Sequence, residues 1–314
     1  MSIRQTRLPL WSPASMEHRV VRYGDLRPCY NAFVDTRSPG SEAKENFTII
    51  GPGVSENPEQ YVHIAEPHGF NIGGARQPPG CVNSQHSHDS AEVFVVHSGN
   101  WRFDLGEHGD DAQVLVGPGD VISLPIKTFR GFTNVGNASG FLFAVLGRDD
   151  PGRVLWAPAV FELAQQHGLV LLESGQLIDT VAGQTVPADV KPMSVTSPAQ
   201  IAQLKRVTVE EAEGFVWRNE ECAVTGMATI IGDSGPLNWP HGFSLERIEI
   251  MAGKAFAMAS PNAPEVLFVH QGSLEFGWPE GSLSLSVGDT LTVPALPDPN
   301  LTSQTGCVAY RVSG

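Results

Sequence analysis

His86 and His88 stand two residues apart in 80-GCVNSQHSHDSAEVFVVHSG-99, and Glu92 follows His88 by four. On an extended strand, residues i and i+2 point to the same side, so both imidazoles face one way. A tight turn at Asp89 and Ser90 then lets the chain reverse and bring the Glu92 carboxylate back to that side. Two imidazoles and one carboxylate converging in this way make a facial set suited to Fe(II), Mn(II), Ni(II) or Zn(II). The remaining coordination positions stay open to water, dioxygen or substrate. An isolated HxH is more often a surface loop feature; here Gly80 and Gly99 frame the segment and set it in a regular pattern.

Such a set needs short strands to hold it, and the surrounding sequence supplies them. The runs 92-EVFVV-96, 101-WRFDL-105, 113-QVLV-116, 121-VISL-124 and 141-FLFAVL-146 are each bounded by Gly, Pro, Asn or Asp. That is the pattern of an antiparallel sandwich or barrel. With 33 Gly and 24 Pro in 314 residues, and few long runs of helix formers, the composition reads as mostly β. One helix is expected in 158-PAVFELAQQHGLVL-171, opened by Pro158 and capped by Gly168.

Strand-like runs resume after residue 224, and their landmarks keep the first half's intervals. Gly80 to Glu92 and Gly253 to Glu265 are both twelve apart, Glu92 to Gly99 and Glu265 to Gly272 both seven, and Gly119 to Pro125 and Gly288 to Pro294 both six. A duplicated unit and two like domains in tandem follow. The expected organisation is an irregular N-terminal arm over 1–60 packed on the first barrel, a metal-binding barrel with its trailing helix over 61–172, a linker over 173–212, and a second barrel over 213–314.

The spacing G-x5-HxH-x3-E-x6-G matches the first motif of the cupin superfamily residue for residue. The second cupin motif resembles 119-GDVISLPIKTFRGFTN-134 at Gly119, Pro125 and Asn134. It departs where Lys127 replaces a Gly and Arg130 replaces the last metal-binding His; a guanidinium stays protonated and cannot ligate a cation. The resemblance implies two tandem jelly-roll-like β-barrels, one divalent metal per chain at His86, His88 and Glu92, and Fe(II) ahead of Zn, Mn or Ni. Aligned without gaps, the second repeat has Ala259 and Pro261 at the histidine positions and keeps only Glu265, so that barrel is expected to hold no metal. His63, His68, His97 and His108 are the candidates to replace the missing ligand.

Bicupins of this kind imply a non-haem dioxygenase acting on a small anionic, aromatic or enolisable substrate. The alternatives are a redox-neutral isomerase, lyase or hydrolase, and a non-catalytic small-molecule binder. Arg130 has two readings of its own: a catalytic guanidinium facing the substrate's charge, or the partner of Glu92 in an internal ion pair.

The net charge of −14, from 34 acidic against 20 basic residues, disfavours phosphate backbones and anionic lipid, so neither nucleic acid nor a membrane is an expected partner. There is no signal-like stretch and no CxxC pair among the four cysteines, which implies a cytoplasmic protein with reduced thiols. A homo-oligomer such as a dimer is compatible with a second barrel freed from chemistry.

Overall fold

The computed structural model describes residues 10–222 and 225–314, and these fold into two compact units. One runs from Arg27 to Glu220 with Pro240–Gly242; the other comprises the chain up to Leu26, Glu221–Trp239 and Phe243–Gly314. Each unit is built mainly from two sheets, almost wholly antiparallel, whose inner faces carry the apolar residues of the alternating runs.

In the first unit, one sheet orders its strands as Val216–Trp217, Val121–Leu124, Glu92–Ser98, Gly140–Gly147, Phe70–Gln77, Glu45–Ile50 and Val62–Ile64. Every neighbouring pair is antiparallel except the last, which is parallel. The second sheet runs Val154–Trp156, Val82–His88, Arg130–Asn134, Trp101–Leu105 and Ala112–Val116. Phe94 from the first sheet meets Phe103 and Phe132 from the second at ring separations of 5.4 and 5.3 Å, which seals the sheets face to face. Aromatic pairs at this spacing add to the free energy of burying their area.

The duplication read from spacing is visible as strand order. The four strands from Val121–Leu124 to Phe70–Gln77 have counterparts in Thr290–Val293, Glu265–Gly272, Cys307–Ser313 and Ser244–Ile250, in the same order. The second sheet is matched by Lys254–Ala257, Asn300–Ser303, Leu274–Trp278 and Gly281–Leu285. The architecture is therefore all-β, with two tandem cupin-type barrels. Among the described residues no helix is long and apolar enough to cross a membrane.

Three parts of the chain differ from their sequence expectation. The arm over 1–60 divides: Val20–Val21 pairs with Thr290–Leu291, Met16 is buried in the second unit's core, and Arg22 pairs with Asp289 at 2.8 Å. Two β-branched residues completing an exposed sheet edge outweigh proximity in sequence. Residues 173–212 are not a free linker. They belong to the first unit, where Leu177–Asp179 forms a hairpin with Leu169–Leu171, Thr196 donates to Trp156 O at 2.7 Å, and Lys205 N donates to Lys127 O at 2.7 Å. The helix is shorter than its apolar pattern, spanning Pro158–Gln166, because Gly168 at φ +76° turns 169-LVL-171 into that hairpin. Lys127, at the position where cupins have Gly, adopts φ +61°, so the backbone keeps the left-handed bend although the residue has a Cβ.

Candidate metal centre

The strand Val82–His88 lies between Arg130–Asn134 and Val154–Trp156. In register, His86 is opposite both Arg130 and Trp156, while His88 is opposite Val154. Glu92 begins a strand of the other sheet, opposite Leu124 and Leu146. The turn between His88 and Glu92 thus carries the chain from one sheet to the other, and the three side chains meet between them. Each offers a ligand atom within 4.8 Å of the other two, and all three residues are buried.

The hydrogen bonds decide which atoms face inward. His86 Nδ1 lies 2.7 Å from Ser84 O, and since a carbonyl only accepts, Nδ1 carries the proton and Nε2 keeps its lone pair. His88 Nε2 is 3.5 Å from Glu92 Oε1. Burial first, then the neighbouring Arg130 and His88, bring His86 down to about 3. Burial and Arg130 push His88 well below the ordinary imidazole value. Both rings are therefore neutral at pH 7, the form that ligates a cation.

Arg130 is fully buried and points inward, where it donates from Nε and Nη2 to Glu92 Oε2 at 3.0 and 2.7 Å and from Nη1 to Thr128 O at 3.0 Å. It does not line the cavity that His86, His88 and Glu92 open onto. The guanidinium stands behind Glu92 and occupies one carboxylate oxygen, leaving Oε1 toward the histidines. The pair also joins the sheets, because Arg130 belongs to one and Glu92 to the other. A carboxylate so held is oriented for a cation as hydrogen-bonded metal ligands usually are. The donor set therefore fits one divalent ion with three protein ligands.

None of the proposed replacement histidines joins this cluster. His63 uses Nδ1 toward Thr48 O at 2.8 Å and accepts at Nε2 from Arg27 N at 3.2 Å. His68 Nδ1 is 2.7 Å from Glu66 O, and His97 packs against Phe141. His108 lines a separate surface pocket with Asp110 and Arg206. In the second unit, Glu265 lies 3.8 Å from Arg311, which itself pairs with Glu246 at 2.9 Å.

The cavity has a volume of about 70 Å³, room for roughly five water molecules. Its walls are mainly apolar, with Phe33, Phe94, Phe132 and Trp156 as their aromatic members. Residues that pattern reading did not single out support it from outside. Lys44 and Asp35 form a fully buried ion pair; Lys44 also donates to Asn83 Oδ1 at 3.1 Å, and Asp35 accepts from Ser84 N at 3.0 Å, so the pair braces the strand that carries the histidines. Trp156 packs on His86 with ring centroids 5.4 Å apart, and its indole donates to Glu56 Oε1 at 2.6 Å. Nothing in the local sequence marks these partners: Lys44 sits between Glu42 and Glu45, and Asp35 and Glu56 lie in polar stretches next to Thr36 and Asn57.

Glu56 also accepts from Val34 N at 2.6 Å, and burial raises its carboxyl from 4.5 to about 8. The folded protein therefore holds this proton across a pH range in which the unfolded chain has released it. Stability is lost as pH rises from about 4.5 toward 8, by up to about 1.4 kcal/mol per pH unit. Glu56→Gln loses one acceptor and is the less stable protein at pH 5, but its stability should fall less steeply between pH 5 and 8. Parallel slopes in urea unfolding of parent and variant would rule out a carboxyl raised in this way.

Residues 75–146, in the first barrel, match the cupin domain family, and the two barrels in tandem give the chain a bicupin fold. The chain is 35% identical over 88 residues to germin-like protein subfamily 1 member 7 of Arabidopsis thaliana, covering 26% of this chain. The match spans 38% of that relative's length. The fold is shared with oxalate decarboxylase from Bacillus subtilis at a TM-score of 0.57 and 12% identity, over 99% of this chain and 78% of that one. The oxalate decarboxylase formate complex from Lactobacillus farciminis gives the same TM-score and identity over 93% and 85%.

Proposed function

We propose that the protein is a metal-dependent cupin enzyme that acts on a small carboxylate-bearing substrate by redox-neutral cleavage of lyase type. The carrying observation is the buried convergence of His86, His88 and Glu92 on a cavity walled mainly by apolar residues. A divalent cation bound there would supply Lewis-acid polarisation of a substrate oxygen. The chain's own part is positional: Ser84 O sets the His86 tautomer, Arg130 fixes the Glu92 carboxylate, and the apolar walls shape the space in which the reacting group sits. The lyase reading draws on the structural neighbours that are oxalate decarboxylases, one of which is described with Mn(II) centres. Mn(II) accordingly joins Fe(II) at the head of the candidate metals.

The aromatic lining favours a second reading, oxygenation of an enolisable or aromatic acid, which belongs to the resemblance drawn from the sequence. Metal analysis of purified protein, followed by parallel measurement of CO2 release and O2 uptake with small keto, hydroxy and dicarboxylic acids, separates the two. CO2 release without O2 consumption is expected. Stoichiometric O2 consumption selects the oxygenase. Absence of bound metal after incubation with Mn(II) or Fe(II) would leave a non-catalytic binding barrel.

A further inference from the structure

The cavity has a second polar end. Asn46 is 7% exposed, and its Nδ2 donor has no hydrogen-bond partner among the described residues. Gln60 donates from Nε2 to Thr48 Oγ1 at 2.6 Å, which leaves its buried Oε1 without a partner. Asn46, Thr48 and Gln60 all line the same cavity as the His86, His88 and Glu92 cluster. A buried donor and a buried acceptor left unpaired are costly, so each calls for a partner, and two that line one cavity can share a bound ligand.

The two ends are well separated. From the strand that begins at Glu92, Asn46 lies three strands across the same sheet, past Gly140–Gly147 and Phe70–Gln77. At the spacing of neighbouring strands this is on the order of 14 Å across the curved sheet, and the register sets Asn46 level with Val96, four residues along the strand from Glu92. The residues that face the cavity between them are apolar, Gly73, Ala75, Ala144 and Leu146 among them, with Phe94 beside the cluster. A molecule of two carboxylates joined by one bond reaches only one end.

Resting on the metal-centred reading above, we infer that the substrate is an elongated, flat acid whose carboxylate meets the His86, His88 and Glu92 end and whose distal hydroxyl is read by Asn46 and Gln60. A hydroxyl suits the pair because it accepts from Asn46 Nδ2 and donates to Gln60 Oε1 at once. Discrimination follows from the same atoms, since an analogue without the hydroxyl leaves both unpaired in the complex.

The test uses the full chain loaded with Mn(II) and two probes, 4-hydroxycinnamate and cinnamate, titrated by calorimetry. The parent should bind the hydroxylated acid at least about 10-fold more tightly. Asn46→Leu and Gln60→Leu should each bring the two affinities to within about 2-fold of each other while leaving that for cinnamate undiminished. Without ligand, Asn46→Leu should raise the melting temperature, because it removes a buried donor that lacks a partner. Equal affinities in the parent, failure of both acids to bind the metal-loaded protein, or a lowered melting temperature in Asn46→Leu overturns the inference. Metal stoichiometry measured on the same samples separates this from failure of the metal-centred reading, in which the parent itself would hold no Mn(II).

Discussion

His86→Ala and His88→Ala should each weaken binding of Mn(II) or Fe(II) by more than about 100-fold, beyond the 10–100-fold loss typical of residues that merely support a ligand. Two of three donors cannot hold a divalent ion in competition with water. The barrel should persist, because its core is the Phe94, Phe103 and Phe132 contact between sheets rather than the imidazoles. Circular dichroism and metal analysis on chelator-treated, reloaded protein measure both effects. Glu265→Gln is the internal control: it occupies the Glu92 position of the other repeat without histidines around it, so metal per chain should not change. Parent-like occupancy in both histidine variants would remove the site assignment.

Replacing Arg130 should have the largest effect on stability. Arg130→Met leaves Glu92 buried without its cation, a change that typically costs about 3–5 kcal/mol. The double variant Arg130→Met with Glu92→Gln should recover most of that loss, since no charge then remains unpaired. Arg130→His makes a different point: an imidazole there completes the ligand set usual for cupins and should tighten metal binding. Denaturant unfolding of the three variants, with a metal titration of the last, supplies the readings. A loss under about 1 kcal/mol in Arg130→Met would show the carboxylate relaxing to another partner, and the account of Glu92 orientation would fall with it.

The convergence of His86, His88 and Glu92 was legible because they lie within seven residues and obey strand periodicity, so one turn converts spacing into geometry. Tandem barrels were legible for the same reason, since glycines at fixed intervals mark turns that both repeats need. Arg130 was legible as a departure, but the sequence left open which way its guanidinium would turn. The structure spends three of its donors on Glu92 and Thr128, which removes it from the cavity wall.

What pattern could not reach depends on contacts between distant segments. Glu56 meets Trp156 across 100 positions, and Arg22 meets Asp289 across 267. Asn46 and Gln60 carry no motif; only the cavity makes them conspicuous. The stretch over 173–212 looked like a linker because its Pro and Ser content masks the few apolar residues, Leu177 and Ile178 among them, that bury against the barrel.

The Arg130–Glu92 pair has a consequence for the order of events in the protein's life. It latches one sheet to the other with protein atoms alone, so the barrel can close without waiting for a cation. Folding and loading become separate steps, unlike in small domains whose metal is their fold. A chain made under metal scarcity would then persist as a finished receptacle and take its ion later. The ion it acquires would depend on the supply at that moment as well as on the three ligands.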